Sequence, residues 1–418
     1  MQWFQQIAPP PGVARALTLR SIVYAAGSGI FQAGSAVFFT KYLGLTATQV
    51  GIGLSVAGAL TVGCSIPLGV LTDRFGARRT WIVAGLAEAV LFFAYPLIGS
   101  FTAFLGLVCL LALTDMTGST AKHVYTLQAL PPAERVRALA YQRSALNVGF
   151  TAGAALSGIA LAIGTRPAYL GLVLTNGAVL LLTAALISRL PKVPTAGSAP
   201  RTNPFAALAD RPFLALSGVN GVLQAHVTLF GVVLPLWILT QTDAPELLVP
   251  VLYMVNTVLA VTLQVRASRG SETPLGAARA LRTGGVTVAL SALLLGAAAF
   301  TSGVITIAVL VAGTVMLTIG ELTQSAGAWG ITATLPPEDR RGEYTGAFKL
   351  GGQLQQSLGP AGLTMLAIGT GGWGWLVIAV LMLVGGYYAP AAVRWVLRTP
   401  RLGATIAADP APELARVR

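Results

Sequence analysis

Long apolar stretches constrain this chain more than any other feature of its sequence. One of them, WIVAGLAEAVLFFAYPLIG, covers Trp81 to Gly99, and another, GWLVIAVLMLVGGYYAPAAV, covers Gly374 to Val393. Each is close to the roughly 20 residues that an α-helix needs to span a bilayer. Only 10% of the 418 residues are charged, against about 25% in a typical soluble domain. The chain is therefore predicted to be an all-α membrane protein.

Twelve such segments are recognisable. They cover residues 18–40, 48–71, 81–99, 103–130, 138–164, 168–188, 212–240, 246–265, 283–301, 303–335, 344–370 and 373–394. The longest polar gap, Arg189 to Arg211, is rich in Pro and Ala and separates six spans from six. The predicted organisation is an N-terminal six-helix bundle over residues 1–190, a cytoplasmic linker over 191–211, and a C-terminal six-helix bundle with a short cytoplasmic tail over 212–418.

The two halves repeat each other at a nearly constant offset. LPPAER begins at Leu130 and LPPEDR at Leu335, 205 residues later, and each follows the fourth span of its half. Asp115 and Glu321 are 206 residues apart, and each is the only acid in its predicted span. Repeated halves with substrate and ion sites near the midplane are typical of secondary transporters. We therefore expect two pseudo-symmetric bundles with a site between them.

The loop between the second and third spans reads GVLTDRFGARR, from Gly69 to Arg79. Its glycines permit close helix approach and a tight turn, and its carboxylate suits the positive N-terminal end of a neighbouring helix. The loop resembles the signature loop of the major facilitator superfamily, whose fixed positions are matched here by Gly69, Asp73, Arg74, Gly76, Arg78 and Arg79. The resemblance implies that Asp73 contacts the eleventh span and latches the halves together in the outward-open state.

Within that family the chain resembles drug:proton antiporters with twelve transmembrane helices, but two features differ. The antiporter motif of the fifth span reads approximately GPxxGG in the family and GAALSG here, with Ala154 for Pro and Ser157 for Gly. The Arg that many members carry in the fourth span falls near Thr114. These departures leave the family resemblance intact and weaken the inference to antiport.

Two carboxylates are the predicted proton-coupling groups. An ionised Asp at the centre of a bilayer costs about 3 kcal/mol on insertion scales, so Asp115 and Glu321 are candidates for groups that bind and release a proton. A structural hydrogen bond within the bundle is the alternative for each. Lys122 shares a helix face with Asp115, with Ser119 between them, which predicts a polar track instead of a tight ion pair. Glu88 is expected to bond within its own half.

Polar side chains at helical spacing on otherwise apolar spans predict the cavity wall, because a lipid-facing surface would not retain them. The two histidines, His123 and His226, lie off these faces and are expected to serve packing. The predicted cavity residues are Tyr24, Gln32, Arg143, Asn147, Asn220, Gln224, Tyr253, Asn256, Lys349, Gln353 and Gln356, with Ser28 and Ser35 beside them in the first span.

Other function classes find little support. The net charge is +13, but no basic helix with interleaved aromatic residues is present, so no nucleic-acid partner is predicted. No phosphate-binding loop, metal-ligand cluster or nucleophile triad is recognisable, and neither an enzymatic activity nor a cofactor is predicted. Most of the Lys and Arg residues lie on the side shared by both termini, which the positive-inside rule assigns to the cytoplasm.

The sequence thus predicts a proton-coupled secondary transporter of the inner (plasma) membrane, acting as a monomer in the lipid bilayer. Its expected partners are protons and a small-molecule substrate, most simply an exported amphipathic compound such as a drug or natural product. A carrier of sugars, amino acids or organic anions is the alternative, and Arg143 and Lys349 favour the anions. A membrane sensor or enzyme built on a transporter scaffold is the remote alternative.

Overall fold

The chain folds into twelve long helices, and the computed structural model describes residues 9–193 and 205–399. The first six are α1 (Val13–Val37, continued by a π-helical turn at Phe38–Tyr42), α2 (Ala47–Phe75), α3 (Ala77–Ala94), α4 (Phe101–Ala129), α5 (Pro132–Ile163) and α6 (Arg166–Ser188). The other six are α7 (Arg211–Gln241), α8 (Leu248–Ala267), α9 (Pro274–Ala297), α10 (Val304–Thr334), α11 (Arg341–Ala367) and α12 (Gly374–Arg398). The predicted linker lies partly outside the described residues, as do both chain termini.

Eleven of these helices are long and apolar enough to cross a membrane, counted within the described residues. The remaining helix, α11, does not meet this criterion because it is too polar. It carries Lys349, Gln353, Gln355 and Gln356 among its 27 residues. At about 1.5 Å of rise per residue its length still suffices to span the hydrocarbon core. Its polarity has a reason inside the protein, since three of these side chains line a central cavity.

Several predicted helix boundaries are wrong. The third span, predicted at 81–99, is the helix Ala77–Ala94, and the ninth, predicted at 283–301, is the helix Pro274–Ala297. Both begin earlier because hydropathy marks only the membrane-embedded part, whereas a helix continues through charged residues that water can solvate. The seventh span is also not one regular helix, because it is interrupted at Gln224 and contains a π-helical turn at Leu229–Val233.

Close backbone contacts hold corresponding helix pairs together in the two bundles. In the first, α1 lies against α5, and a Cβ added at Gly149 or Gly153 would overlap backbone carbonyls of Ile22 or Ala26. In the second, α7 lies against α11, and a Cβ added at Gly351 would overlap the carbonyl of Ser217. Small residues allow helices to approach this closely in a membrane. The two bundles therefore share one packing plan, and α1, α5, α7 and α11 are available to surround the centre.

Two ends of the molecule can be distinguished by charge. The end formed by the α2–α3, α4–α5 and α10–α11 connections is called the basic end, because arginines cluster there, among them Arg74, Arg78, Arg79, Arg340 and Arg341. The other is called the opposite end. Near the opposite end each bundle has an aromatic core, with Phe38 and Tyr95 buried in the first and Trp237 and Trp375 in the second. These cores fix the helix ends around the mouth of the central cavity.

Candidate functional site

A central cavity of about 780 Å³ lies between the two bundles. It extends from the middle of the molecule toward the opposite end, with α1, α2, α3 and α4 on one side and α7 and α11 on the other. Part of its wall is aromatic: Phe31, Phe39, Phe92 and Tyr95. Its polar wall comprises Tyr24, Ser28, Gln32, Ser35, Thr61, Glu88, Asp115, Ser119, Asn176, Gln224, Lys349, Gln353 and Gln356. An apolar surface with a few convergent polar groups is the usual composition of a small-molecule site.

Asp115 is the carboxylate most open to this cavity. Its side chain is exposed, and its Oδ1 accepts a hydrogen bond of 3.0 Å from the hydroxyl of Tyr24 on α1. Glu88 on α3 also lines the cavity, close enough to Asp115 and to Arg20 for their charges to interact. Its carboxylate thus belongs to the cavity wall, and both of these charged neighbours belong to its own half of the chain.

A second, small cavity of about 30 Å³ lies beside Asp115 toward the basic end. Arg20 and Lys122 line it together with Asp115 and Ser119, so the polar track expected along α4 exists as a line of neighbours. The guanidinium of Arg20 lies 4.3 Å from the ring centroid of Trp81, a cation–π contact that stabilises a buried cation. Two acids and two cations thus share one polar region within the first bundle.

Lys349 brings a charge from the second bundle to this region. It projects from α11, and its Nζ donates hydrogen bonds of 3.0 Å to the hydroxyls of both Ser119 and Thr120 on α4. The ammonium is close enough to Asp115 for the two charges to attract each other. Nearby, the amide of Gln353 contacts the sulfur of Met116 at 3.3 Å. The helix that carries Asp115 is therefore held across the interface by a cation of the other bundle.

Glu321 has a different environment from Asp115. Its Oε1 accepts from Arg143 of the first bundle at 3.2 Å, and its Oε2 accepts from the amide of Asn256 at 3.1 Å. The Glu321 side chain is 14% exposed and that of Arg143 is 42% exposed. This ion pair joins α5 to α10, and together with the Asn256 hydrogen bond it gives each carboxylate oxygen a partner. The two acids that correspond by repeat are thus not equivalent, since one faces the cavity and the other ties the bundles together.

Some of the predicted cavity residues line the cavity wall, and others lie elsewhere. Asn220 is fully buried and accepts a hydrogen bond of 2.8 Å from Gln324, which also contacts His226 at 3.0 Å. Tyr253 lies against Phe230, with ring centroids 4.6 Å apart. The predicted residues on the wall are Tyr24, Gln32, Gln224, Lys349, Gln353 and Gln356, whereas Arg143, Asn147, Asn220, Tyr253 and Asn256 lie away from it.

At the basic end the α2–α3 loop is joined to α11. Asp73 Oδ1 accepts from the backbone N–H of Gly342 at 2.7 Å, and Oδ2 accepts from that of Glu343 at 2.9 Å. These are first-turn N–H groups of α11, which have no partner within their own helix. The carboxylate satisfies two of them and complements the positive end of the helix dipole. We refer to this contact of Asp73 with Gly342 and Glu343 as the latch.

Glycines let the two helices of the latch touch along their backbones. A Cβ at Gly69 would overlap the carbonyl of Gly342, and a Cβ at Gly346 would overlap the carbonyl of Ser65. The Ser65 hydroxyl donates a hydrogen bond of 2.6 Å to the carbonyl of Gly346. Gly76 has a φ of 85°, which lets the chain turn from α2 into α3. The basic end of the cavity is closed by this crossing.

The arginines of the signature loop do not act together. Arg78 donates to the backbone carbonyl of Ser188 at the end of α6, which fastens the loop to its own bundle. Arg74 and Arg79 are exposed beside a surface groove between α2, α3 and α4. Across the latch, Arg341 donates a hydrogen bond of 3.1 Å to the carbonyl of Leu127 on α4. Asp73 is therefore the loop's side chain that contacts α11, and its cations serve other contacts.

Arg20 and Asn176 are among the residues of the site that the sequence-based predictions missed. Arg20 is the one cation in the predicted first span and Asn176 is the amide in the apolar sixth span, and a search for isolated polar residues in each span would have found both. Within residues 9–193 and 205–399, no group of three or more His, Cys, Asp or Glu residues is arranged to hold a metal ion.

Two repeated six-helix bundles around a polar cavity closed at one end form the architecture of a secondary transporter. The family model of the Major Facilitator Superfamily matches residues 17–360, and the chain belongs to that family. It is therefore a multi-pass membrane transporter and not an enzyme, and the resemblance noted at the signature loop is confirmed.

Known proteins with similar sequence or structure are transporters too. The chain is 21% identical over 343 residues to YdeE, an MFS-type transporter of Escherichia coli strain K12, covering 80% of this chain and 84% of that protein. Its structure resembles an outward-facing bacterial homologue of the iron transporter ferroportin, with a TM-score of 0.73 at 13% identity, covering 93% and 100% of the two chains. It also resembles the human organic anion transporter MFSD10, with a TM-score of 0.70 at 16% identity, covering 91% and 100%. At these identities the structural likeness shows the fold alone.

Proposed function

We propose that this protein is a proton-coupled secondary transporter that exports small amphipathic compounds, such as drugs or natural products, by alternating access. The observation that carries the proposal is the position of Asp115, a carboxylate exposed on the wall of the central cavity and attracted to Lys349 of the other bundle. A group of this kind changes charge where substrate binds and where the two bundles meet. Its protonation state can therefore bias both events.

The direction of transport in this scheme depends on which side of the membrane the closed basic end faces. The positive-inside rule favours placing the basic end in the cytoplasm of the inner membrane, so the described conformation corresponds to outward-open. In this state Asp115 takes a proton from outside and loses its attraction for Lys349, which weakens the contact across the interface. The first bundle, up to residue 190, and the second, from residue 212, then rock about the cavity until the basic end opens.

The cavity wall supports an amphipathic substrate. Four aromatic side chains, those of Phe31, Phe39, Phe92 and Tyr95, offer flat apolar surface, while Asp115 provides negative charge. Aromatic faces and carboxylates together favour compounds with an apolar body and a positive group. Glu321 remains the second candidate for the proton site. Its pairing with Arg143 supports a role in joining the bundles.

A carrier of organic anions is the second candidate function, and Lys349 is the observation in its favour. The ammonium lies on the cavity wall, where an anionic ligand could replace its contacts with Ser119 and Thr120. A screen of cationic, neutral and anionic compounds by ligand-induced thermal shift on the purified protein separates the two possibilities. Stabilisation by organic anions that is lost in Lys349→Gln and kept in Asp115→Asn would favour the anion carrier.

Proteoliposomes with an imposed pH gradient test the proton site, using a compound selected in that screen. We expect Asp115→Asn to keep substrate exchange without a gradient and to lose uphill transport, because a gradient does work only through a group whose protonation differs between the two open states. Glu321→Gln is the paired control and is expected to keep uphill transport. If Asp115→Asn concentrates substrate as well as the unmodified protein, Asp115 is structural; if only Glu321→Gln loses accumulation, the second bundle holds the proton site.

A further inference from the structure

A large groove on the outer surface of the first bundle is not part of the transport site. It lies between α2, α3 and α4 near the basic end and encloses about 750 Å³. None of the residues that line it lines the central cavity. The groove is therefore a separate site on the side of the molecule that faces the bilayer.

The walls of the groove are apolar. Leu71, Val83 and Leu110 are 38%, 65% and 52% exposed, so their side chains are available to a ligand. The two threonines of the α4 wall, Thr114 and Thr117, donate their hydroxyls to carbonyls of their own helix, at Leu110 and Leu111 and at Leu113. They therefore present no free donor to the groove. This composition suits an acyl chain.

Polar groups are concentrated at the basic end of the groove. Arg74 ends α2, Arg79 begins α3, and both are exposed at the groove. Beside them Thr80 is 6% exposed, and its buried hydroxyl oxygen has no hydrogen-bond partner among the described residues. A buried hydroxyl without a partner is costly. An acceptor atom of a ligand in the groove would satisfy this hydroxyl once its side chain turns toward the groove.

We propose that this groove binds an anionic phospholipid of the surrounding bilayer. Its phosphate would lie between Arg74 and Arg79, an oxygen of the headgroup or ester region would accept from Thr80, and an acyl chain would follow the α3–α4 wall. Guanidinium groups bind phosphate oxygens through paired, charge-assisted hydrogen bonds. The cations are at the end of the helices, where headgroups lie, and the apolar walls extend toward the hydrocarbon. Charge and polarity thus change along the groove in the order in which they change along a phospholipid.

Native mass spectrometry of the full chain in detergent, with phosphatidylglycerol and phosphatidylcholine added in equal amounts, tests this site. We expect the unmodified protein to retain phosphatidylglycerol in preference. Arg74→Gln with Arg79→Gln should bind it about 25-fold more weakly, since each basic residue near an anionic headgroup contributes about fivefold. The matched control is Arg279→Gln with Arg282→Gln, which removes two exposed cations from α9 near the same end and should retain the lipid.

Two further variants separate the groove from surface charge. Ala87→Phe fills the groove and leaves both arginines in place, and Thr80→Val removes only the unpartnered hydroxyl. Both should weaken phosphatidylglycerol binding, with the larger loss in Ala87→Phe. The proposal is overturned if the Arg74 and Arg79 variant retains the lipid like the unmodified protein, if the α9 control loses as much, or if Ala87→Phe binds normally. Equal retention of phosphatidylcholine by the unmodified protein would also overturn it, since the groove would then be an unselective lipid contact.

Discussion

Asp115 and Lys349 are opposite charges on different bundles, close enough to attract each other. Among the described residues, no other such pair lies on the cavity wall. The carboxylate belongs to α4 and the ammonium to α11, and Lys349 is bound to Ser119, one turn from Asp115. Tyr24, Glu88, Arg20 and Lys122 surround the same region. In the scheme proposed above, protonation of Asp115 would remove the attraction and leave the two hydroxyl contacts in place. The interface is then weakened and not abolished, as a reversible step requires.

This pair of charges predicts how the fraction of molecules with a closed basic end depends on pH. Under the scheme proposed above, acidification should favour opening in the unmodified protein, whereas in Lys349→Gln the dependence should flatten because the partner charge is gone. A coupling of about 1–3 kcal/mol corresponds to a change of about 5- to 150-fold in the ratio of the two states. The measurement is the distance distribution between spin labels at cysteines replacing Ala133 and Arg279, without Cys64 and Cys109, from pH 5 to 8.

Arg143→Gln is the matched control for that experiment. It also removes a cation at the bundle interface, but the partner lost is Glu321. We expect it to open the basic end at every pH while the pH dependence persists. A Lys349→Gln protein with the same pH dependence as the unmodified one would show that Asp115 and Lys349 are not coupled.

For individual residues, the sequence indicates which side chains avoid lipid better than it indicates which residues they contact. Polar stripes draw attention to Lys349 and Gln353, which line the cavity, but the same argument selects Asn220, which the structure buries against Gln324. A stripe shows which face of a helix avoids lipid, and both a cavity and a neighbouring helix satisfy that condition. The pairing of Glu321 with Arg143 was out of reach for the same reason, because it depends on how two helices from different halves are rotated.

Among the helices, the crossing of α2 and α11 has the clearest consequence for transport. Backbone meets backbone at Gly69, Gly342 and Gly346, and Asp73 caps the first turn of α11. A second contact fastens α11 to its own bundle, since buried Glu343 accepts from the N–H of Ala207 at 2.7 Å, just before α7 begins. The start of α11 thus joins the latch to the chain segment that enters the second bundle.

A side chain at the crossing should keep the basic end open. We expect Gly346→Val to shift the label distances described above toward longer values, because its Cβ would overlap the Ser65 carbonyl. Asp73→Asn should act in the same direction but less strongly, since one oxygen acceptor remains. Gly362→Val is the matched control in the same helix, where an added Cβ meets no atom within 4 Å. Unchanged distances in both Gly346→Val and Asp73→Asn, with normal expression, would refute the latch.

The helices themselves were largely predictable, and their irregularities were not. Apolar blocks of sufficient length leave the chain no alternative to spanning helices, because the bilayer core offers no partner for free backbone groups. The interruption of α7 at Gln224 carries no proline or hydropathy signal at that residue. It depends on local packing, including the approach of Gly352 of α11 to the Gln224 side chain. Such a break becomes visible only when the neighbouring helix is known.

For the whole molecule, the orientation in the membrane connects the closed end to a direction of transport. The basic end carries the latch, and the positive-inside rule favours the cytoplasm for it. The described residues on either side of the linker, Arg189 after α6 and Arg211 at the start of α7, lie at this end too, and residues 194–204 are outside the described part of the chain. An exporter releases substrate from the state described here and loads it from the opposite one.

Single cysteines at the two ends of α6 test this orientation, in a background without Cys64 and Cys109. Arg166→Cys should react with an impermeant thiol reagent applied to intact cells, whereas Arg189→Cys should react only after the membrane is permeabilised. Both positions are exposed and flank one helix, so each serves as the control for the other. Labelling of Arg189→Cys in intact cells would reverse the assignment, and Ser198, which lies outside the described residues, is predicted to behave like Arg189.

The latch also makes opening of the basic end measurable by hydrogen exchange. The amide hydrogens of Gly342 and Glu343 are held by one carboxylate and shielded at a backbone crossing. Whenever α2 separates from α11, both lose their acceptor and meet water, as first-turn amides have no partner in their own helix. In heavy water each separation gives these two sites a chance to take up deuterium. When closing is faster than chemical exchange, the rate at which the peptide containing them gains mass therefore reports the fraction of time the basic end is open, without a label, a mutation or a known substrate.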